Sequence, residues 1–492
     1  MEAAPEFMTR LPMYDAWTAL LPVQEKLPPL AFYPGMPGEV ILGHQYSPET
    51  GDLTDVPIRL TRDRHFHTAF AGDTGYGKSV AAIRMAYETT LKWKLRTIAL
   101  DFGTGWRALL NAPGLEGHVE IYQLWPGAVS PFRWNPLQIG QNIAPEIQWR
   151  AFCDIFGAIS RLGVRRQVGE VRDGLRQIYV AAGVLIDDPE VREDAEWGRV
   201  RASETEVAGS AEGTRLGDLA AEPRQRLAVH RSRRVGLADL YRVIQEKFEA
   251  TPPRDQMLRG VLEGILYRLH PLVQGAAAAQ YAPGNDTLAL EDLARPWGVA
   301  VLEGGSFLDE FSKAFLLGWS AWHIYTDSVV RRIRRAAPPD EFLQIFFEEA
   351  NKILSGVDYG DDEEGGAAYT AEQFANMWRD SRKYGVWLHP ITQSPARIPP
   401  GILSSCANLI VAQLKNAKDR DLVTAAIARS EKGFMDEEWR RFLARLPVAQ
   451  SVARFGYSFE IAEQEPVLFR PLMLQVPEPI DEEIAAVMGE GH

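Results

Sequence analysis

Cysteine is nearly absent: 492 residues contain two, Cys153 and Cys406, far apart and each in apolar surroundings. They read as buried thiols in a reducing compartment, so a cytoplasmic location is expected. Long apolar runs are missing too. No stretch approaches the roughly eighteen residues that a membrane-spanning helix needs, and no basic-then-apolar N-terminal signal is visible. Positive charge is in deficit, with 53 Lys and Arg against 66 Asp and Glu, a net charge of −13. That argues against a surface that coats nucleic acid generally, but leaves room for a local basic channel. No internal repeat is found. What remains is a 46% apolar chain, ample for a core and long for one domain. A central domain with one sizeable appended or inserted unit is expected.

The most specific feature is Gly72-Asp73-Thr74-Gly75-Tyr76-Gly77-Lys78-Ser79, which fits G-x-x-x-x-G-K-[ST] at every fixed position. Glycines there let successive backbone N–H groups wrap a phosphate chain. Lys78 can place its ammonium between β- and γ-phosphates, and the Ser79 hydroxyl can ligate Mg²⁺. A chain of this length would show the pattern by accident about once in fifty. Residues 67–71 before it read as a short buried strand, and Val80 opens a helix after it. That strand–loop–helix order is what phosphate binding at a helix N-terminus requires. Gly72, Thr74, Gly75, Tyr76, Gly77, Lys78, Ser79 and Val80 are therefore the expected ATP-binding residues.

Residues 1–37 are proline-rich and irregular, and 39–43 and 56–60 look like strands of a small sheet. The run 94–101 is the next buried strand and ends on Asp101. In a doubly wound sheet that acid either faces the ligand crevice or caps the following turn. From about 145 to 295 the apolar spacing is helical, over 148–162, 168–184, 237–248 and 256–272. Between them, 187–234 is charged and poor in large apolar residues, which predicts a mobile segment. Residues 297–303 return to strand, and 307–335 reads as a long amphipathic helix.

A second nucleotide motif follows. Residues 342–347 form an apolar strand ending in Glu348-Glu349-Ala350. Beside a P-loop strand, the first acid can hold Mg²⁺ and the second can polarise the attacking water. The first is usually Asp, so Glu348 is one methylene longer than expected. Next, 381–394 reads as a helix end, a turn and a strand that finishes on Thr392-Gln393. Gln393 can orient water or sense the γ-phosphate, and Arg382 suits a finger at a subunit boundary.

In this order the blocks resemble the HerA/FtsK superfamily of ring-forming ATPases, its HerA branch especially, and also conjugative ATPases. The matching residues are Leu42-Gly43 and Val56-Pro57, His67 before the P-loop strand, Asn135-Pro136-Leu137, and Glu348-Glu349-Ala350. Ser381-Arg382-Lys383-Tyr384-Gly385 and Thr392-Gln393-Ser394-Pro395 follow, then Asn408 to Val411, Leu414 to Asn416 and Asp419-Arg420. The likeness spans about 38–145 and 295–460. It implies an α/β fold: a RecA-like P-loop core of mostly parallel sheet flanked by helices, with an inserted helical domain. The divisions expected are 1–37 irregular, 38–145 core with the P-loop, 146–295 helical insertion, 296–475 core with the acids, sensor and finger, and 476–492 tail. The resemblance further implies a homohexamer with ATP between subunits and double-stranded DNA through the pore. In it Lys78 and Ser79 hold phosphates and Mg²⁺, Glu348 assists the metal, Glu349 activates water and Gln393 senses. Arg382 serves the neighbouring subunit, with Arg420 a weaker second candidate.

The leading expectation is an ATP-driven DNA translocase or helicase-like motor working with a nuclease or other effector, in anti-phage defence or DNA processing. A conjugative or secretion ATPase is the second reading, and an ATP-binding scaffold that assembles or gates a partner is the third. The arginines at 161, 165 and 166, and those at 224, 226, 231, 233 and 234, either track phosphates in a pore or are solvated surface charge. The acidic run 358–364 reads as an exposed loop or a protein contact.

Overall fold

The computed structural model describes residues 28–160, 165–185, 198–284, 286–338, 340–354, 367–428, 436–456 and 465–489. Among the described residues the spine is an 11-stranded sheet in the order β2-β1-β11-β10-β9-β3-β8-β7-β4-β6-β5. The strands are β1 Val40–Tyr46, β2 Leu53–Leu60, β3 Thr68–Ala71, β4 Arg96–Asp101, β5 Val119–Gln123, β6 Gly298–Glu303, β7 Leu343–Phe347, β8 Val386–Thr392, β9 Asn408–Val411, β10 Ser451–Arg454 and β11 Val467–Pro471. From β9 to β5 the neighbours are parallel; β10, β11, β1 and β2 add an antiparallel wing. The parallel strands are buried on both faces, which is why β3, β4, β6, β7 and β8 read as continuous apolar runs without alternation. All their carboxyl ends therefore lie along one edge.

Helix α1 (Lys78–Trp93) leaves the P-loop directly and packs on β1 and β3. The predicted helical stretch forms α2 Pro145–Ile159, α3 Arg165–Ala181, α4 Ala221–Ser232, α5 Leu237–Ala250 and α6 Gln256–Val273. Then α7 (Glu310–Ile333) runs for about 36 Å, with Asp309 as N-cap accepting from the Ser312 N–H at 3.0 Å. Phe152 and Phe156 of α2 meet Phe315 of α7 edge-to-face, and Phe152 meets Trp319 likewise, at centroid distances of 5.3–5.6 Å. Such contacts contribute about 1 kcal/mol each beyond burial. The Trp319 indole N–H donates to the Pro136 carbonyl at 2.7 Å. Asn135 is fully buried and donates to the Val235 carbonyl at 2.8 Å. The Asn-Pro-Leu motif thus stitches the sheet to the helical region.

Of the charged stretch 187–234, residues 187–197 lie outside the described residues and 198–234 is folded. Arg231 is 2% exposed there, pairing with the buried Glu204 at 2.7 Å. Arg224 donates to the Leu219 carbonyl, and Arg226 pairs with Glu222. Arg231 is therefore internal structure rather than a phosphate tracker; a buried ion pair needs this mutual satisfaction. Arg161 and the acidic run 358–364 lie outside the described residues. Between β7 and β8 lies α8 Ala367–Ser381, and after β9 come α9 Ala417–Ala428 and α10 Asp436–Arg445. In the segment read as a tail, α11 (Asp481–Gly489) buries Ile484 and Met488. The Met488 sulfur accepts the Ile121 N–H of β5 at 3.4 Å, covering the sheet edge.

Candidate nucleotide site

The site is built where β3, β4, β7 and β8 end. At the P-loop, Gly77 has φ +98° and caps α1, a left-handed backbone that favours glycine. Gly72 serves a close approach: a Cβ there would meet the Ala412 Cβ at 2.7 Å. The loop is tethered at its base, where the Gly72 N–H donates to the Thr392 carbonyl at 3.2 Å and the Asp73 N–H to Gln413 at 2.7 Å. The Lys415 N–H returns to the Asp73 carboxylate at 3.1 Å. Its crown is open: Thr74 and Gly75 are exposed, and a Cβ on Gly75 would touch nothing within 4 Å. That is a loop with a fixed base and an accessible crown, which suits a phosphate chain.

Across from it, the Ser79 hydroxyl donates to Glu348 Oε1 at 2.8 Å. The Trp106 indole donates to the other oxygen at 3.2 Å. Burial raises the Glu348 carboxyl above its usual range, opposed by the Ser79 hydroxyl and the Lys78 charge. A hydroxyl and a carboxylate converging beside a buried lysine are a donor set suited to Mg²⁺. The extra methylene of Glu348 does not stop it reaching Ser79.

Glu349 is next in the chain and points differently. Its backbone sits in the left-handed region, φ 50° and ψ 45°, which costs roughly 1–2 kcal/mol for a non-glycine residue. The Gln393 side-chain amide donates to its carboxylate. Thr392, fully buried, donates to Asn351 at 3.1 Å and accepts the Ser394 N–H at 3.0 Å, fixing the loop that carries Gln393.

Asp101 does both things the sequence left open. It accepts the Gly103 and Trp106 N–H groups at 2.8 and 2.9 Å, capping the turn, and it lines the cavity. Burial, then the neighbouring Glu348 charge, pushes its carboxyl up to about 7. The cavity, ≈ 630 Å³, has Ser79, Asp101, Glu348, Glu349 and Gln393 on its walls, with Trp106, Lys313, Lys352 and Arg397 as well. The last four were not singled out from sequence. Lys313 donates to the Gly305 carbonyl, and Lys352 pairs with Glu310 at 2.7 Å. Their one advance signal is position, since each lies on a loop or helix start at the carboxyl edge of the sheet.

Arg382 is not brought to this site. It lies before β8, whose far end carries Gln393, so a strand of about 20 Å separates the two. Its guanidinium carbon lies 4.0 Å from the centroid of the Phe66 ring. Arg420 is on the P-loop side but is turned onto the carbonyls of Leu414 and Lys415.

No protein-family model and no curated protein matches the sequence. Solved structures do match the fold. VirB4 of Thermoanaerobacter pseudethanolicus superposes with a TM-score of 0.54 at 14% identity, over 90% of this chain and 99% of that one. The unbound bacterial conjugative coupling protein TrwB gives 0.51 at 16% identity, over 91% and 97%. TrwB in complex with the non-hydrolysable ATP analogue ADPNP gives 0.51 at 15%, over 91% and 98%. The chain has the P-loop ATPase fold expected from its motifs.

Proposed function

We propose that this chain, with the fold of VirB4 and TrwB, is an ATP-hydrolysing hexameric motor that moves double-stranded DNA and works with a nuclease or other effector. The observation that carries the ATPase part is the convergence of two pairs, Ser79 with Glu348 and Glu349 with Gln393, beside an open P-loop. Lys78 clamps the phosphates. Mg²⁺, held by Ser79 and Glu348, would neutralise charge developing on the β- and γ-phosphate oxygens. Glu349 takes the proton of the attacking water, and Gln393 fixes the direction in which its carboxylate points.

The ring part is supported by Arg382. An arginine about 20 Å from its own Gln393 along β8 has no route to its own P-loop. It fits the role of a finger given to the adjacent subunit, with each ATP between two copies. DNA in the pore, the HerA-type assignment, the effector and a defence role rest on the motif resemblance. A conjugative coupling or secretion role is the second reading, favoured by the likeness to VirB4 and TrwB.

The deciding experiment is steady-state ATP hydrolysis with and without double-stranded DNA, alongside mass in solution. A hexamer stimulated by DNA supports the motor. A hexamer indifferent to DNA rejects it in favour of the secretion or scaffold reading, and a monomer under all nucleotide conditions rejects the ring.

A further inference from the structure

The amino ends of β3 and β8 are joined by more than the sheet ladder. The His67 Nδ1 accepts the Leu388 N–H at 2.9 Å, and the His389 Nδ1 accepts the Thr68 N–H at 3.1 Å. An imidazole on each side thus accepts a hydrogen bond from a backbone N–H of the other. Because Nδ1 is the acceptor, the proton of a neutral His67 sits on Nε2. That nitrogen lies 3.2 Å from the Ser381 hydroxyl, so it donates there. Ser381 is fully buried and immediately precedes Arg382. Phe66, 5% exposed and immediately before His67, lies under the Arg382 guanidinium at 4.0 Å. Two consecutive residues, Phe66 and His67, therefore hold two consecutive residues, Ser381 and Arg382.

We infer that Phe66 is a positioning residue for Arg382, setting the guanidinium on the outer face where a neighbouring subunit's nucleotide would meet it. The inference rests on the finger reading of Arg382. An exposed arginine samples many rotamers, and ordering it at the moment of reaction slows turnover. An aromatic face beneath it restricts that sampling beforehand. Stacking engages the face of the guanidinium, whereas phosphate recognition uses its in-plane N–H groups, so the two are compatible. The platform also has an address. Phe66 is two residues before β3, and β3 runs straight into Gly72. The strand that ends in one subunit's P-loop thus begins at the platform for the finger offered to the next.

The test is a double-substitution cycle on the full-length protein, reading kcat and KM for ATP with DNA present. Phe66→Leu is expected to lower kcat about three- to tenfold, with KM for ATP and the thermal midpoint little changed. Phe66→Tyr, which keeps the ring, should restore kcat. In an Arg382→Ala background, Phe66→Leu should cost nothing further. If Phe66→Leu does not fold, Phe66→Met is read in its place. An unchanged kcat in Phe66→Leu beside a crippled Arg382→Ala overturns the inference and leaves the finger standing. A Phe66→Leu loss that persists in full without Arg382 also overturns it. If Arg382→Ala is itself fully active, the finger reading fails first.

Discussion

The Ser79 hydroxyl and the Glu348 carboxylate meet at 2.8 Å across 269 positions of sequence. One belongs to the first turn of α1 and the other to the end of β7, so the pair closes only when the sheet has assembled. Removing either partner should weaken Mg²⁺ retention. Glu348→Gln is expected to raise the Mg²⁺ concentration for half-maximal turnover by roughly tenfold or more. A Mg²⁺ titration of ATPase rate checks this, and an unshifted midpoint would remove Glu348 from the metal site.

Lys78 and Glu349 should separate binding from hydrolysis. Lys78→Ala is expected to abolish nucleotide binding, read by fluorescence of a labelled ATP analogue. Glu349→Gln should bind ATP normally and turn it over about 10²–10⁴-fold more slowly. Near-normal turnover in that variant would end its assignment as the base.

Arg382→Ala should lose turnover while keeping its affinity for ATP. When wild-type and variant subunits are mixed, the rate should fall out of proportion to the variant fraction. Strict proportionality would mean that no subunit depends on its neighbour's arginine.

Acid should cost the fold the contribution of its buried histidines. Burial pushes the His65 and His323 imidazoles down to about 3 and His67 to about 4, and holds His389 well below its usual range. Each must stay neutral when folded but binds a proton when unfolded below about pH 6.5. Their contribution is complete above that pH and is lost as pH falls toward 4 and 3, about 2 kcal/mol by pH 5 for each of His65, His67 and His323. Asp101, pushed up to about 7, takes up its proton earlier in the fold than in the unfolded chain and works the other way by about 3 kcal/mol. Glu291, Glu303, Asp327 and Glu348, also raised by burial, act in the same sense as Asp101. The histidine part is therefore read by difference: between pH 7.5 and pH 5 the thermal midpoint of His323→Phe should fall less, or rise more, than that of the wild type, and an identical change in both would mean that His323 is not held neutral.

The P-loop and its acidic counterpart were legible because each is contiguous and each strand is a plain apolar run. The long helix was legible over 307–335 and is observed over Glu310–Ile333. β5, β10 and β11 were not read: each spans four or five residues and, unlike β3 and β7, none is a continuous apolar run next to a motif. Arg231 was misread because its partner Glu204 lies 27 residues away in a stretch whose composition suggested mobility. Trp106 was missed for a different reason. Its bond to Glu348 spans 242 positions and no local pattern marks it. The reciprocal histidines are 321 positions from the backbone groups they accept; only the resemblance drew attention to His67, and nothing drew it to His389.

The left-handed backbone of Glu349 has a practical side. Glycine at that place would relieve the conformational penalty and raise the melting temperature. Any campaign that selects this chain for heat tolerance alone will be rewarded for deleting the carboxylate that we propose as the base.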